Sequence, residues 1–393
     1  MSTILERATR FSDRMTEIRR ELHRYPEVAF KEYRTSKLIA KVLTETGIEV
    51  LPWGGETGVV GLLQGMPGPV VALRADIDAL PLQEENEFAH RSQIDGMMHA
   101  CGHDFHTAAL LGAAMVLAEQ KASLKGTVKF IFQPAEEINT GAKAMLENGV
   151  LQNPAVNVIF GLHNSPNIPT GQVGIKEGPL MAAVDSTFLT VTGTGGHGAI
   201  PHMTKDPIVA VAAMIQGLQT IVSRQVDPQD AAVISFGTIH GGNAYNVIPE
   251  IVELNGTVRT FEPALRAKMP SMMRTMLDGI AQATGTKAEL IYTNHLPAVL
   301  NPSALSRWCR GPLSRLFGEE NLVTPTPSMG GEDFSLFQEK VPGVFLWLGT
   351  GNTALDINRQ WHNPRFDVDE TALKYGAAAL TQLTLDYMEE HPA

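Results

Sequence analysis

The sequence predicts an α/β protein in which a mostly parallel sheet is flanked by helices and a smaller α+β domain is inserted. Two patterns lead to this prediction. Unbroken apolar runs such as VVALRAD, residues 70–76, are typical of strands buried on both faces of a parallel sheet. After about residue 180 the strand-like runs alternate apolar and polar residues, which indicates strands with one exposed face.

The first domain reads as helices that alternate with strands. An amphipathic helix is predicted at 12–24, with Met15, Ile18 and Leu22 on one face, and a second helix at 34–46 that ends at Gly47. Two strands, 57–64 and 70–76, come next. Beyond them we expect a helix at 103–120, a strand at 127–132, a helix at 140–148 and a strand at 157–164.

The inserted domain has the order βαββαβ, which predicts a separate α+β fold of the ferredoxin-like type. Its strands are predicted at 184–195, 232–242, 247–261 and 287–294, and its helices at 206–224 and 262–285. We therefore expect a discontinuous first domain, 1–181 and 296–393, and an insert that covers 182–295. The last part returns to the first pattern, with a short apolar strand, VFLWLG, and a final helix at about 370–388.

Composition excludes several classes of protein. The net charge of −11, without a run of lysine or arginine, argues against a nucleic acid or an anionic membrane as partner. The N-terminus lacks the apolar stretch of a signal peptide, and we expect no apolar run as long as the ~20 residues of a membrane span. Only two cysteines in 393 residues favour a reducing cytoplasm over a disulfide scaffold.

The segment MHACGHDFHTA, residues 98–108, is the strongest local signal. It places thiol, imidazole and carboxylate side chains within a few positions: His99, Cys101, His103, Asp104 and His106. Zinc and similar transition metals accept all three ligand types, so the segment predicts a metal site. The alternative is a histidine-rich helix start in which Cys101 simply packs.

Acidic and imidazole side chains also follow three successive strands. Asp76 and Asp78 come just after the strand at 70–76, Glu136 and Glu137 follow TVKFIF, and His163 ends the next apolar strand. Open α/β sheets form their sites at the carboxyl ends of strands, so we expect these groups to converge. An adjacent glutamate pair can divide two tasks, with one carboxylate on a metal and the other moving protons. For the two aspartates, a solvated turn is the alternative.

The combined motifs resemble the dinuclear-metal aminoacylase/carboxypeptidase family, and more narrowly its amidohydrolase branch of hippurate hydrolase and indole-acetyl amino acid hydrolases. The resemblance depends on RADIDALP, CGHDFHTA, QPAEE, GLHNSP, GGHGAIPH, NVIPE, GTVRTF, GGEDFS and HNPRF, which run in family order from about residue 22 to 370. It implies two divalent metal ions per chain, which could be zinc, manganese, cobalt or nickel. The implied metal ligands are Cys101, which would bridge the ions, His103, Glu137, His163 and His362.

The resemblance also implies roles for other residues. Glu136 would be the general base, and Asp78 would orient a ligand imidazole. In the insert, which would act as a lid, His197 would reach into a site of its own or the partner subunit, and Asn246 and Arg259 would hold the substrate carboxylate. Gly330 and Gly331 would line the substrate pocket. Gly198 departs from the alanine usual in relatives, whereas His99, His106 and His202 are assigned no role.

The implied activity is cleavage of N-acyl amino acids to a carboxylic acid and a free amino acid. A water clamped between the two ions would attack the amide, with Glu136 as base. A homodimer or homotetramer formed through the lid is also implied. Three alternatives stay open: a dipeptidase or carboxypeptidase with the same site, a cysteine hydrolase that uses Cys101, and a metal-binding protein without activity.

Overall fold

The computed structural model describes residues 3–391 and divides into two compact units. Unit 1 comprises the chain up to Leu180, Leu300–Thr326 and the chain from Asp333 onward. Unit 2 comprises Met181–Val299 and Pro327–Glu332. The predicted insert, 182–295, did not include the second piece of unit 2. This piece groups with unit 2 because the Ala182 amide donates to the carbonyls of Ser328 and Gly330.

Helices and strands are numbered along the whole chain, and α6, α7 and β8 to β13 belong to unit 2. The helices are α1 (Ile4–Arg10), α2 (Ser12–Arg24), α3 (Tyr33–Glu45), α4 (His103–Ala118), α5 (Gly141–Glu147), α6 (Pro207–Arg224), α7 (Pro263–Thr284), α8 (Ser303–Phe317), α9 (Phe334–Gln338) and α10 (Leu373–Glu390). The strands are β1 (Glu49–Leu51), β2 (Val59–Gln64), β3 (Val70–Asp76), β4 (Thr127–Gln133), β5 (Val158–Pro169), β6 (Val173–Gly174), β7 (Gly178–Met181), β8 (Ala183–Thr192), β9 (Gly196–His197), β10 (Ala232–Gly241), β11 (Val247–Ile248), β12 (Ile251–Thr260), β13 (Lys287–Leu296), β14 (Val299–Asn301), β15 (Leu322–Val323) and β16 (Gly343–Gly351).

The main sheet of unit 1 is mixed, with strand order β1-β2-β4-β3-β5-β16-β6-β15. Its four central strands, β4, β3, β5 and β16, are parallel, whereas β1, β2 and β6 add antiparallel pairs toward the edges. Every residue of β3 is buried, as the unbroken apolar run predicts. Because the central strands are parallel, their carboxyl ends meet at one edge of the sheet.

Helix α4 lies in the core of unit 1. All its residues from His103 to Leu117 are buried, and it packs between α2 and α10 and against β3. This burial explains why its sequence, ALLGAAMVLAEQ, is apolar all round and lacks a polar face. The predicted start at His103 is therefore fixed by the core as well as by the helix formers that follow it.

Unit 2 contains a four-stranded antiparallel sheet of order β10-β12-β8-β13, with α6 and α7 packed on it. The element order β8-α6-β10-β12-α7-β13 is the predicted βαββαβ order. Residues of β8 alternate between buried and half-buried positions, and its buried Leu189 and Val191 join a core with Met214, Leu218 and Leu277. The alternation seen in the sequence thus reflects helices on one face of this sheet.

Helix α6, with 18 residues, is the one helix within 3–391 that is long and apolar enough to cross a membrane by length and composition. Its residues Ala210, Met214, Leu218 and Ile221 are buried in the core of unit 2. Packing against the sheet thus explains the apolar residues on one face of α6, whereas Ile208 and Val209 are exposed.

A buried ion cluster ties α2 to α4. Arg19 is fully buried, and its guanidinium contacts Asp104 Oδ2 at 2.8 Å and Asp367 Oδ1 at 2.9 Å. His23 bridges the same Asp104 oxygen, at 2.8 Å, to Glu84 Oε1, at 3.1 Å. Burial would lower the pKa of Arg19, but the surrounding carboxylates outweigh it and raise the pKa above its ordinary value. Asp104 follows the predicted metal ligand His103, so this cluster anchors the first turn of α4 from behind.

We expect Arg19→Met to lower the free energy of unfolding of unit 1 by about 3–5 kcal/mol, because it leaves buried carboxylates without their cation. Urea denaturation followed by tryptophan fluorescence measures this unit, since Trp53, Trp308, Trp347 and Trp361 all lie in it. Arg14→Met is the matched control on the same helix, because Arg14 forms only exposed ion pairs, worth about 1 kcal/mol or less. Equal losses in the two variants would contradict the role of Arg19.

Candidate metal centre

Five side chains from distant parts of unit 1 converge at the carboxyl edge of its sheet. They form two groups of possible metal ligands that share one cysteine: Cys101, His103 and His163 in the first, and Cys101, Glu137 and His362 in the second. Cys101 Sγ lies 3.5 Å from His163 Nε2, and His362 Nε2 lies 3.5 Å from Glu137 Oε2. The structure therefore brings together all five predicted ligands, with Cys101 common to both groups.

The parallel strands explain this convergence. Asp76 ends β3, Glu136 and Glu137 follow β4, and His163 lies on β5 just beyond the last residue of β5 that pairs with β3, Gly161. His163 does not end its strand as predicted, since β5 continues beside β16 to Pro169. Gly102, at φ 85°, turns the chain into α4 and so places Cys101 and His103 on either side of the turn.

The side chains present fit divalent metal ions. Within residues 3–391, His103 Nε2 and Glu137 Oε1 are buried and have no hydrogen-bond partner, although they lie 3.9 Å apart. Buried polar atoms without a partner are rare in proteins, and a cation bound by each ligand group would satisfy these two atoms. Thiolate, imidazole and carboxylate donors together suit zinc and similar ions.

Asp78 holds the two halves of the site together. Its Oδ1 accepts from His103 Nδ1 at 3.2 Å and from the Glu136 amide at 3.1 Å, and its Oδ2 accepts from the Glu137 amide at 3.1 Å. The bond to Nδ1 leaves His103 Nε2 directed to the ligand group. Asp78 is therefore placed as predicted, behind an imidazole, and it also fixes the glutamate pair.

The turn before the glutamate pair is unusual. Ala135 has φ 54°, in the region that favours glycine, and its amide donates to Glu32 Oε1 at 2.9 Å. Glu32 is fully buried at the start of α3. Burial raises the pKa of Glu32 to about 7, because the hydrogen bonds it accepts offset only part of the lost hydration. A carboxyl far away in the sequence thus supports the turn that carries Glu136.

Asp76 supports the site from the other side. Its Oδ1 accepts from His106 Nδ1 at 2.6 Å, and its Oδ2 accepts from Arg74 Nη1 at 2.8 Å. Burial alone would raise the pKa of Asp76, but His103, Arg74 and His106 hold it well below its ordinary value. The alternative of a solvated turn is wrong, because both Asp76 and Asp78 are buried.

The buried carboxylates and imidazoles also shift the pKa values of the predicted ligands His103 and His163. For His103, burial opposes protonation, but the carboxylates of Asp76, Asp78 and Glu137 outweigh it and raise the pKa to about 10 in the metal-free protein. Burial, reinforced by the neighbouring histidines, keeps the pKa of His163 well below its ordinary value. A metal that displaces the proton of His103 would therefore take over its interaction with these carboxylates.

The other predicted site residues lie in unit 2. His197 on β9 pairs with Val247 on β11, which places it beside exposed Asn246. The Ala199 amide donates to His197 Nδ1 at 3.0 Å, so Nε2 carries the proton and is a donor. A Cβ on Gly198 would lie 3.1 Å from the Asn246 carbonyl oxygen, so the absence of a side chain there relieves a tight contact.

Arg259 lies half-buried on β12. Its guanidinium donates to Thr257 Oγ1 and to the Val258 carbonyl, and in the described part of the chain it forms no ion pair. Burial lowers its pKa, and Asp185 only partly offsets this effect. Gly330 and Gly331 lie in the loop that joins unit 2, where a Cβ on Gly331 would lie 2.1 Å from Val184 Cγ2.

Besides Glu32, sequence reasoning missed two residues and assigned no role to a third. Asn164 directly follows the predicted ligand His163, and Trp361 directly precedes the predicted ligand His362. Asn164 donates to the Cys101 carbonyl, and Trp361 donates to Asn164. His106 lies between Asp76 and Asn164, where its ring is fully buried. The only signal in the sequence was their position next to ligand motifs, because the partners of each residue come from other segments.

A family profile, individual sequences and a solved structure all relate this chain to one family. Residues 72–386 match the sequence profile of peptidase family M20/M25/M40. N-acetylcysteine deacetylase of Bacillus subtilis is 45% identical over 381 residues, covering 96% of this chain and 98% of that protein. IAA-amino acid hydrolase ILR1-like 4 of Arabidopsis thaliana is 40% identical over 384 residues, covering 97% and 87%. The crystal structure of the Bacillus subtilis YXEP protein, described as a dinuclear metal binding peptidase from the M20 family, is 43% identical, has a TM-score of 0.86 and covers 97% of this chain and 99% of that one.

We expect Glu32→Gln to change the pH dependence of stability in the metal-free protein. The unfolded carboxyl ionises near its ordinary pKa of 4.5, whereas the folded carboxyl keeps its proton to about pH 7. Between these pH values the unfolded state is stabilised by ionisation and the folded state is not, so wild type becomes progressively less stable as the pH rises. The variant should therefore gain stability relative to wild type as the pH rises through this window, by about 3 kcal/mol above it. Urea denaturation at several pH values measures the gain.

Glu45→Gln, at the exposed end of the same helix, is the control for the loss of a carboxylate. The side-chain amide introduced by Glu32→Gln keeps an oxygen that can accept from the Ala135 amide, so the turn should be preserved. Parallel profiles for wild type and Glu32→Gln would contradict a buried, protonated Glu32.

Proposed function

The chain belongs to peptidase family M20/M25/M40 and is a metal-dependent amidohydrolase of N-acyl amino acids, and we propose that Glu136 is its general base beside a dinuclear metal centre. The proposal assigns Cys101, His103, Glu137, His163 and His362 as the ligands. The relatives that act on N-acetylcysteine and on IAA-amino acid conjugates support an acyl group attached to an amino acid as the common substrate.

One observation carries the assignment of Glu136. Its carboxylate, the carboxylate of Glu137 and the ring of His103 each place an oxygen or nitrogen within 4.8 Å of the others. Glu137 also belongs to the ligand group with Cys101 and His362, whereas Glu136 does not. A protein that only bound metal would need no further carboxylate there, so the alternative of a non-catalytic binder leaves Glu136 unexplained.

The chemistry divides between metal and protein. Two divalent ions would supply Lewis acidity, which polarises an amide carbonyl and acidifies water. Glu136, which is 7% exposed, would take a proton from the attacking water and pass it to the departing amine, a poor leaving group unless protonated. The hydrogen bonds that the Glu136 and Glu137 main-chain amides donate to Asp78 keep Glu136 in a fixed position beside the carboxylate of Glu137.

Unit 2 would supply the groups that recognise substrate. Arg259 has a planar fork suited to both oxygens of a carboxylate, and its present partners are neutral oxygens. Asn246 would assist it, and Gly330 and Gly331 would line the pocket. His197, with its proton on Nε2, would donate to the oxygen of the amide as negative charge develops there.

A dipeptidase or carboxypeptidase with the same residues is the second candidate. It is favoured by the description of the YXEP protein as a peptidase. The cysteine hydrolase is disfavoured, since Cys101 belongs to both groups of proposed ligands and that alternative gives Glu136, Glu137 and His362 no task.

Finer properties complete the proposal. The ions could be zinc, manganese, cobalt or nickel, and hippurate is among the substrates to test. Exposed apolar residues on unit 2, including Met203, Val209 and Tyr245, support a homodimer or homotetramer formed through this unit. Neither cysteine forms a disulfide, which supports a cytoplasmic location.

Glu136→Gln should lower kcat by about 100- to 10,000-fold and leave the metal content unchanged, because the amide cannot accept a proton. The test uses metal-stripped protein reconstituted with each of the four ions, assayed on hippurate, N-acetyl amino acids, indole-acetyl amino acids and dipeptides. Metal content is measured by mass spectrometry. Glu147→Gln, at an exposed position on α5, controls for charge. Full activity in Glu136→Gln, or no turnover of any substrate by wild type with two bound ions, would contradict the proposal.

Arg259→Met should reduce kcat/KM for an N-acyl amino acid by about 10- to 100-fold, the effect of losing a charge-assisted hydrogen bond. The matched substrate is the same compound with its carboxylate converted to an amide, on which wild type and variant should act equally slowly. Arg274→Met, exposed on α7, is the control variant. An equal loss on both substrates would show that Arg259 does not bind the carboxylate.

A further inference from the structure

Three segments that carry proposed ligands meet at one buried amide side chain. Asn164 follows His163 on β5 and is fully buried. Its neighbours come from the segment that contains Cys101 and from the segment that contains His362, which lie far from it in the sequence. The amide therefore lies where the positions of several ligands can be set together.

We propose that Asn164 is a positioning residue that fixes the spacing of the ligands Cys101, His163 and His362 and thereby the affinity of the centre for its metal ions. The inference goes beyond the proposed function, since it assigns a role to a residue that touches neither metal nor substrate. It depends on the proposed metal centre but not on the identity of the substrate.

The first link is to Cys101. Asn164 Nδ2 donates to the Cys101 carbonyl at 2.6 Å, next to the thiol that both ligand groups share. Contact here is close: a Cβ on Gly102 would lie 2.4 Å from Asn164 Nδ2. Gly102 and Asn164 therefore fit each other, and the turn into α4 cannot shift without losing this bond.

The second link is through His106, whose ring is held between an acid and the amide. Its Nδ1 donates to Asp76 Oδ1 at 2.6 Å, so Nε2 is the acceptor. This Nε2 accepts from the Asn164 main-chain amide at 2.8 Å and from Nδ2 at 2.9 Å. A primary amide carries two N–H groups on one nitrogen, so Asn164 Nδ2 can supply the second of these donors while it also donates to the Cys101 carbonyl.

The remaining links reach the two histidine ligands. The carbonyl of Asn164 accepts from His163 Nδ1 at 2.8 Å, which leaves Nε2 of His163 facing Cys101. Asn164 Oδ1 accepts from Trp361 Nε1 at 3.1 Å, and Trp361 directly precedes His362. The Trp361 ring also packs edge-on against His163, with centroids 4.9 Å apart. Every polar atom of the Asn164 side chain thus acts on a segment that carries a ligand.

Asn164→Asp tests this role because it keeps the size of the side chain and removes both Nδ2 donors. It should weaken the binding of zinc or cobalt by about 10- to 100-fold, the usual effect of losing a partner that orients metal ligands. Competition with a chromophoric chelator measures the affinity, and the thiolate-to-cobalt absorption of the cobalt-loaded protein reports on Cys101. Circular dichroism and thermal unfolding of the metal-free form test whether the variant folds.

Two further variants make the test decisive. Asn167→Asp, exposed three residues later on the same strand, should leave affinity and spectrum unchanged. Trp361→Phe keeps an aromatic ring beside His163 and removes the indole N–H that donates to Asn164 Oδ1, so affinity should fall by about 2- to 10-fold. If Asn164→Asp does not fold, the metal affinity of Trp361→Phe tests the positioning role of Asn164.

Each outcome has a distinct meaning. A folded Asn164→Asp with the wild-type affinity and cobalt spectrum would overturn the inference, whatever its activity. So would an unchanged Trp361→Phe if it alone can be measured. A wild-type chain that binds no divalent ion would overturn both the inference and the proposed metal centre. Two bound ions on wild type, with no effect in the variants, would overturn the inference alone.

Discussion

The rest of unit 1 depends on one electrostatic constraint: several carboxylates and imidazoles are buried within a few ångströms of one another. Their lone pairs and charges have lost water and must be satisfied by each other or by a ligand. Asp76 and Asp78 satisfy part of this requirement by accepting hydrogen bonds from His106, His103 and the main chain of the glutamate pair. Among the predicted ligands within residues 3–391, His103 Nε2 and Glu137 Oε1 are buried without a hydrogen-bond partner and lie 3.9 Å apart.

This constraint explains why so much of the polar network lies behind the ligands. Arg19 and His23 anchor Asp104, which follows His103, while Glu32 supports the turn that precedes Glu136. Asn164 connects the segments of Cys101 and His362. Small displacements of such ligands weaken a metal site, so rigid support from buried hydrogen bonds has a direct functional consequence. The positive φ at Ala135 and His362 indicates that the backbone accepts local strain at the same place.

Unit 2 has a different character. Its sheet buries one face under α6 and α7, and its proposed substrate groups lie on the half-buried strand β12 and on exposed loops. Within residues 3–391, Arg259 is paired only with neutral oxygens, whereas Arg266, on α7, is held by a bidentate contact with buried Asp185. One arginine is therefore committed to the fold, and the other retains the charge that a substrate carboxylate could neutralise.

The sequence by itself determined the fold class and the order of nearly all elements, and it predicted the side chains that meet at the carboxyl edge of the sheet. Apolar periodicity decides whether a segment packs on one face or two, and side-chain type limits the metals that a site can bind. It did not reveal α1, the extension of β5 past His163, the segment 327–332 of unit 2 or the roles of Glu32, Asn164 and Trp361. Those features depend on which distant segments of the chain come into contact when the protein folds. A hydrogen bond between residues such as Asn164 and Trp361 leaves no periodic trace in the chain, so only the tertiary structure could decide it.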